Sequence, residues 1–137
     1  MFQQDLSFPA DKHVLINAIR FEQGTATGVD CNCLIDTLRQ CLDISDRSII
    51  DSVRYHLEKT FCWRRGSDRV RPGDYLQLNF HWQTVIMLLG ANPELYKIIC
   101  ADWVHKGNGE VVGSGSDELY IARVGENHFV PLHSIQP

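Results

Sequence analysis

Residues 28–42 read Gly28-Val29-Asp30-Cys31-Asn32-Cys33-Leu34-Ile35-Asp36-Thr37-Leu38-Arg39-Gln40-Cys41-Leu42. Turn-forming residues run up to Asn32. From there Leu34, Ile35, Leu38, Cys41 and Leu42 recur at helical spacing. The stretch therefore reads as a loop entering a helix, with Cys33 at the first helical position. A thiol there faces the positive end of the helix dipole, which favours thiolate. The unpaired N–H groups of the same loop can donate to a developing oxyanion. The plain alternative is a buried structural cysteine, since free Cys is among the most buried residue types. Cys31 competes as nucleophile but lies in the loop.

Upstream, Gly24 to Gly28 is a loop rich in turn residues. Val14-Leu15-Ile16 with Ala18-Ile19 is a short strand. Downstream, Ser45-Asp46 can cap a helix to Thr60, with Ile49, Ile50, Val53 and Leu57 on its apolar face. Gly66 to Gly73 is a polar, basic loop. His81 to Leu89 is a third helix stopped by Gly90, and Asn92-Pro93 is a turn. The remainder reads as sheet. Leu95–Trp103 and Leu119–Val124 are strands, with turns at Lys106–Gly109, Gly113–Ser116 and Gly125–Asn127. His128–Leu132 returns as a hairpin partner. The expected fold is α+β, N-terminal helices packed on a small, mostly antiparallel sheet, in a single domain spanning 1–137.

The chain has 137 residues, 44% hydrophobic and 22% charged, with formal net charge −4. That charge argues against a general nucleic-acid binder, whose phosphate contacts need clustered Lys and Arg. The run Arg64-Arg65, Arg69, Arg71 is a local exception, either a solvated loop or a docking patch. No stretch has the length and apolarity of a membrane span, and no secretory signal is visible. The five cysteines, Cys31, Cys33, Cys41, Cys62 and Cys100, are an odd count. Reduced thiols in a cytosol-like compartment are expected, including a host cytosol reached by delivery within a larger protein. A zinc site from Cys31 and Cys33 with Cys41, Cys62 or His56 lacks paired C-x2-C units. No metal and no cofactor are expected.

A thiol nucleophile needs a base, usually His. Of six histidines, His56 is mid-helix, His105 borders a turn and His81 opens a helix. His128 follows a tight turn at the start of an apolar strand, where a sheet would fix its ring.

Asp30-Cys31-Asn32-Cys33-Leu34-Ile35 resembles the nucleophile motif Asp-Gly-Asn-Cys-Leu-Phe of the ovarian-tumour (OTU) cysteine proteases. Gly73-Asp74-Tyr75-Leu76 leading into His81-Trp82-Gln83-Thr84-Val85-Ile86 is similar to that family's middle section. Leu119–Val124 followed by Asn127-His128-Phe129 is similar to its closing hairpin. The resemblance spans Gly28 to Leu132 and implies a papain-like fold and a compact bacterial or viral effector-type domain, such as a toxin module. It implies that Cys33 attacks the isopeptide carbonyl after the C-terminal glycine of ubiquitin, with His128 as base. It also implies an oxyanion loop at Asp30–Asn32, with N–H donors from Cys31 and Cys33, Asn32 within the hole and Asp30 as brace. Trp82 and Asn127 are the expected substrate contacts. Trp103, Phe80 and Tyr75 can line a channel for the Gly-Gly tail or serve packing. The implied partner is ubiquitin or polyubiquitin, bound by a monomer.

Two departures stand out. Cys31 occupies the family's Gly position, where positive φ is tolerated best by glycine. Val130 stands where many members carry an Asp or Asn that orients the His. Asn17 can replace that orienter if its strand neighbours His128, Glu126 is a second candidate, and a Cys–His dyad is a third arrangement. Other open readings are a glutamine deamidase or transglutaminase-like enzyme on the same scaffold, and an inactive ubiquitin-binding module.

Overall fold

The computed structural model describes residues 5–60, 76–125 and 127–135. Predicted features on residues 61–75, among them Cys62, the Arg64–Arg71 run, Asp74 and Tyr75, lie outside these, as does Glu126. Seven strands and three helices form an α+β fold. In chain order they are β1 (Leu6–Ala10), β2 (His13–Ile16), β3 (Ile19–Gln23), α1 (Cys33–Cys41), α2 (Ile49–Thr60), α3 (Leu78–Leu88), β4 (Tyr96–Asp102), β5 (Gly107–Gly113), β6 (Asp117–Arg123) and β7 (Phe129–Ser134). Strands, not helices, therefore come first. The sheet order is β1-β2-β3-β7-β6-β4-β5. All pairs are antiparallel except β4 with β6.

Local chemistry explains the differences from expectation. The single strand expected over Val14–Ile19 is a hairpin, because Asn17 and Ala18 both take positive φ, 50° and 69°, as a tight hairpin turn requires. β1 carries Pro9 and is an edge strand, where a missing N–H is tolerated. Gly107 to Gly113 is a strand rather than two turns. A Cβ at Gly109 would collide with the Cys100 carbonyl, so glycine here permits close approach of β5 to β4. The third helix begins at Leu78, one turn earlier than expected.

Alternation along the strands divides the core. Ile98, Cys100, Leu119, Ile121 and Phe129 face the helices, against Leu34, Leu38, Val53, Leu57, Val85 and Ile86. Val14, Ile16, Phe21, Ile99, Ala101, Ala122, Val130 and Leu132 form a second cluster. The sheet curls over that second cluster, so that β1 reaches β5 although they occupy opposite ends of the strand order. Phe8 meets Trp103 edge-on at 4.9 Å, beneath the Lys106 ammonium. α1 lies along β7 and β6, which brings the early thiol segment to the late histidine segment. Among the described residues, no helix is long and apolar enough to cross a membrane.

Candidate active site

The loop before α1 is a single 3-10 turn over Val29–Cys31. Its N–H bonds run from Cys31 to the Gly28 carbonyl (3.2 Å) and from Asn32 to the Val29 carbonyl (3.1 Å). Asp30 and Cys31 both adopt positive φ, 53° and 57°. Cys31 therefore takes the left-handed backbone that glycine tolerates best. It holds that conformation against a steric cost of about 1–2 kcal/mol per residue. Asn32 is buried, and its Oδ1 has no hydrogen-bond partner among the described residues.

What holds the loop is the helix it enters. Asp36, one turn after Cys33, is 2% exposed. Its Oδ2 accepts the Thr27 N–H at 2.8 Å. Its Oδ1 accepts from Arg39 Nε at 2.9 Å and Nη2 at 2.7 Å. Arg39 Nη1 donates to the Ile44 carbonyl at 2.6 Å. One turn further, Gln40 Nε2 donates to the Thr25 carbonyl at 2.8 Å. Thr25 and Thr27 are thus clipped to α1 by side chains at successive turns, and the strained segment spans the gap between this clip and Cys33.

Cys33 is 3% exposed. Its thiol donates to the Asn127 carbonyl at 3.3 Å and its sulfur accepts the Phe129 N–H at 3.5 Å. These two groups belong to the peptide bonds on either side of His128, so the sulfur rests against the backbone that carries that ring. The thiol pKa lies above its ordinary value. Burial is the main cause, partly opposed by the N–H groups of Phe129 and Leu34; the neighbouring Cys31 raises it, and the N–H of Cys33 lowers it. This reverses the sequence expectation of a lowered pKa. The helix start does supply N–H groups to the sulfur, but desolvation outweighs them. The free protein should therefore hold a neutral thiol at pH 7. Iodoacetamide modification of Cys33, followed by peptide mass mapping, is expected to accelerate with pH through and beyond the range of a free cysteine. A rate already at its plateau at pH 7 would show a thiolate instead.

The structure places the other candidates as follows. His128 is half-buried. Its ring has no hydrogen-bonded carboxylate or amide among the described residues, and Val130 is buried in the second cluster. Asn127 is exposed beside the sulfur. Asn17 is not brought to His128. It sits in the β2–β3 turn, where its Oδ1 accepts the Asp5 N–H at 3.0 Å, and β3 separates β2 from β7. Asp30 is exposed and its carboxylate braces nothing among the described residues; Asp36 and Gln40 do that work. The Cys31 and Asn32 N–H groups are committed to the 3-10 turn. As it stands, the N–H groups beside the sulfur are those of Cys33, Leu34 and Phe129.

Trp82 is 7% exposed and belongs to the helix-side core, so it is a packing residue rather than a channel wall. Trp103 belongs to the second cluster, and Phe80 is exposed on α3 against His81. Burial pushes the Cys41 and Cys100 thiols up to a pKa of about 12, so both stay protonated at neutral pH. Among the described residues, no three His, Cys, Asp or Glu side chains gather in a metal-sized cluster. A cavity of about 580 Å³ lies at the other end of α1, by Gln40, Cys41, Phe21, Tyr120 and His133, and includes none of the residues around the Cys33 sulfur.

The solved structure of the Hazara virus OTU bound to ubiquitin is similar to this chain, with a TM-score of 0.54 and 17% sequence identity over 98% of this chain and 97% of that one. At this identity the likeness shows the fold: the chain is OTU-like in architecture. No family model and no curated protein matches the sequence.

Proposed function

We propose that this protein is a cysteine hydrolase that cleaves ubiquitin isopeptide bonds through Cys33 and His128. The observation that carries the reading is the seat of the Cys33 sulfur, against both peptide bonds that flank His128, in an OTU-like fold. In the resting state the thiol proton points at the Asn127 carbonyl. For reaction it turns to the His128 imidazole, which accepts it as sulfur attacks the glycine carbonyl. The Cys33 N–H supports the oxyanion. Collapse expels the lysine amine, protonated by His128, and leaves a thioester on Cys33. Water then attacks the thioester with His128 as base; the C–S bond breaks, the ubiquitin carboxylate leaves, and His128 returns the proton to the Cys33 sulfur. No third residue is required, because a thiol depends less on an orienter than a hydroxyl does. Cys33, Cys41 and Cys100 are free thiols, in keeping with work in a reducing compartment, including a host cytosol.

The buried neutral thiol and the committed N–H groups favour one second reading, a ubiquitin-binding module without turnover. Incubating the protein with di-ubiquitin of each linkage and separating the products by gel tests both. Conversion to mono-ubiquitin is the expected result. Intact chains that co-elute with the protein would favour the module, and intact chains without binding would overturn both readings.

A further inference from the structure

We infer that Asp36 is a positioning residue for the Cys33 site, acting through the Thr27 N–H to hold the nucleophile loop in its left-handed form. The inference rests on the reading of Cys33 as nucleophile and adds a residue to that site.

Thr27 and Cys33 are the two ends of the loop, and Asp36 touches the first from the same helix that carries the second. Its Oδ2 accepts the Thr27 N–H at 2.8 Å, while Arg39 occupies Oδ1. The arginine is fixed in turn by the Ile44 carbonyl. The carboxylate therefore cannot swing away from Thr27 without leaving a buried guanidinium unpaired, a costly state. Between the two ends, Asp30 and Cys31 both sit at positive φ. Strained residues persist only where the surroundings over-determine them, and here the surroundings are the Asp36 and Gln40 clips. The loop carries Asn32 and leads directly to the Cys33 N–H. Releasing Thr27 would let Asp30 and Cys31 relax towards right-handed or extended backbone. The sulfur would then lose its seat against Asn127 and Phe129 and become more accessible.

This gives a signature with two opposite signs: hydrolysis falls while the thiol becomes easier to alkylate. A side chain that merely stabilises the fold would lower the melting temperature without that split.

Two double variants test the contacts of Asp36 Oδ2, with the Thr27 N–H at 2.8 Å and with Gln40 Nε2 at 3.4 Å. Asp36→Asn with Arg39→Met and Asp36→Ala with Arg39→Met both remove the ion pair and the Ile44 contact, and neither leaves a lone buried charge. They differ in whether an oxygen remains for the Thr27 N–H. For each, kcat and KM on di-ubiquitin, the iodoacetamide rate at Cys33 and the melting temperature are measured. The alanine form is expected to lose kcat by about a hundredfold relative to the asparagine form, with KM changed by less than threefold and faster alkylation of Cys33. Equal kcat and equal alkylation in the two forms would overturn the role of Asp36, whatever their melting temperatures. If the wild type hydrolyses no ubiquitin chain, the alkylation comparison still decides the positioning claim. Failure of the proposed function is thereby separable from failure of this inference.

Discussion

Cys33→Ala is expected to lower kcat/KM on ubiquitin chains by about 10⁴-fold or more while leaving the protein folded and able to bind. The size follows from the role. Without the sulfur no thioester forms, and what remains is binding and oxyanion support alone. The fold should survive because alanine keeps the helix start and removes one sulfur atom from the helix-side core. The lost contact is of the order of one buried methylene, about 0.8 kcal/mol. The contacts of that sulfur with Asn127 and Phe129 are lost as well, but both are backbone groups already placed by the β6–β7 hairpin. Circular dichroism and a melting curve check the fold, a gel assay on di-ubiquitin checks turnover, and titration with mono-ubiquitin checks binding. Turnover within tenfold of wild type would remove Cys33 from the chemistry.

His128→Ala is expected to lower kcat by about 10²–10⁴-fold at pH 7, the usual range for a general base. Its pH dependence should also change shape. Burial holds the Cys33 thiol neutral at pH 7, so the variant has no internal acceptor for the proton and must wait for the solution to remove it. Because the thiol pKa is raised, the thiolate fraction grows only as pH climbs through and above the ordinary cysteine range. Activity of the variant should therefore rise with pH where that of the wild type has levelled. A variant profile parallel to the wild type, merely scaled down, would assign His128 a structural part.

Much of the fold was legible from periodicity. The helix at Cys33 announced itself through Leu34, Ile35 and Leu38, all fully buried, and the closing hairpin through its turn at Gly125–Asn127 and the apolar residues that follow. The early strands were harder to read. β1 contains Pro9 and has little burial, so the alternation of a half-buried strand is missing. β5 is rich in glycine because backbone approach, not side-chain packing, decides its sequence.

The site was legible where it depends on sequence order and hidden where it depends on who covers whom. That the Cys33 segment meets the His128 segment was an expectation of the family resemblance, and the sulfur's backbone contacts do bring the two segments together. Asp36, Arg39 and Gln40 lie off the apolar positions of the helix, and periodicity does not single them out. They are partly or fully buried because the Thr25–Thr27 segment folds back over them, and periodicity cannot report a loop lying on a helix. Burial also defeated the expectation for the thiol: a helix start lowers a thiol pKa when solvent reaches it, but Cys33 is enclosed by β7. Asn17 failed as an orienter for a topological reason. The hairpin it turns inserts β3 between its own strand and β7.

The most direct test of the account is to incubate the wild type and the Cys33→Ala variant with ubiquitin carrying a C-terminal electrophile, then weigh the products and map the modified residue by mass spectrometry. One adduct is expected on the wild type, located at Cys33, and none on the variant. No adduct on the wild type, or an adduct at another cysteine that persists in the variant, would contradict it.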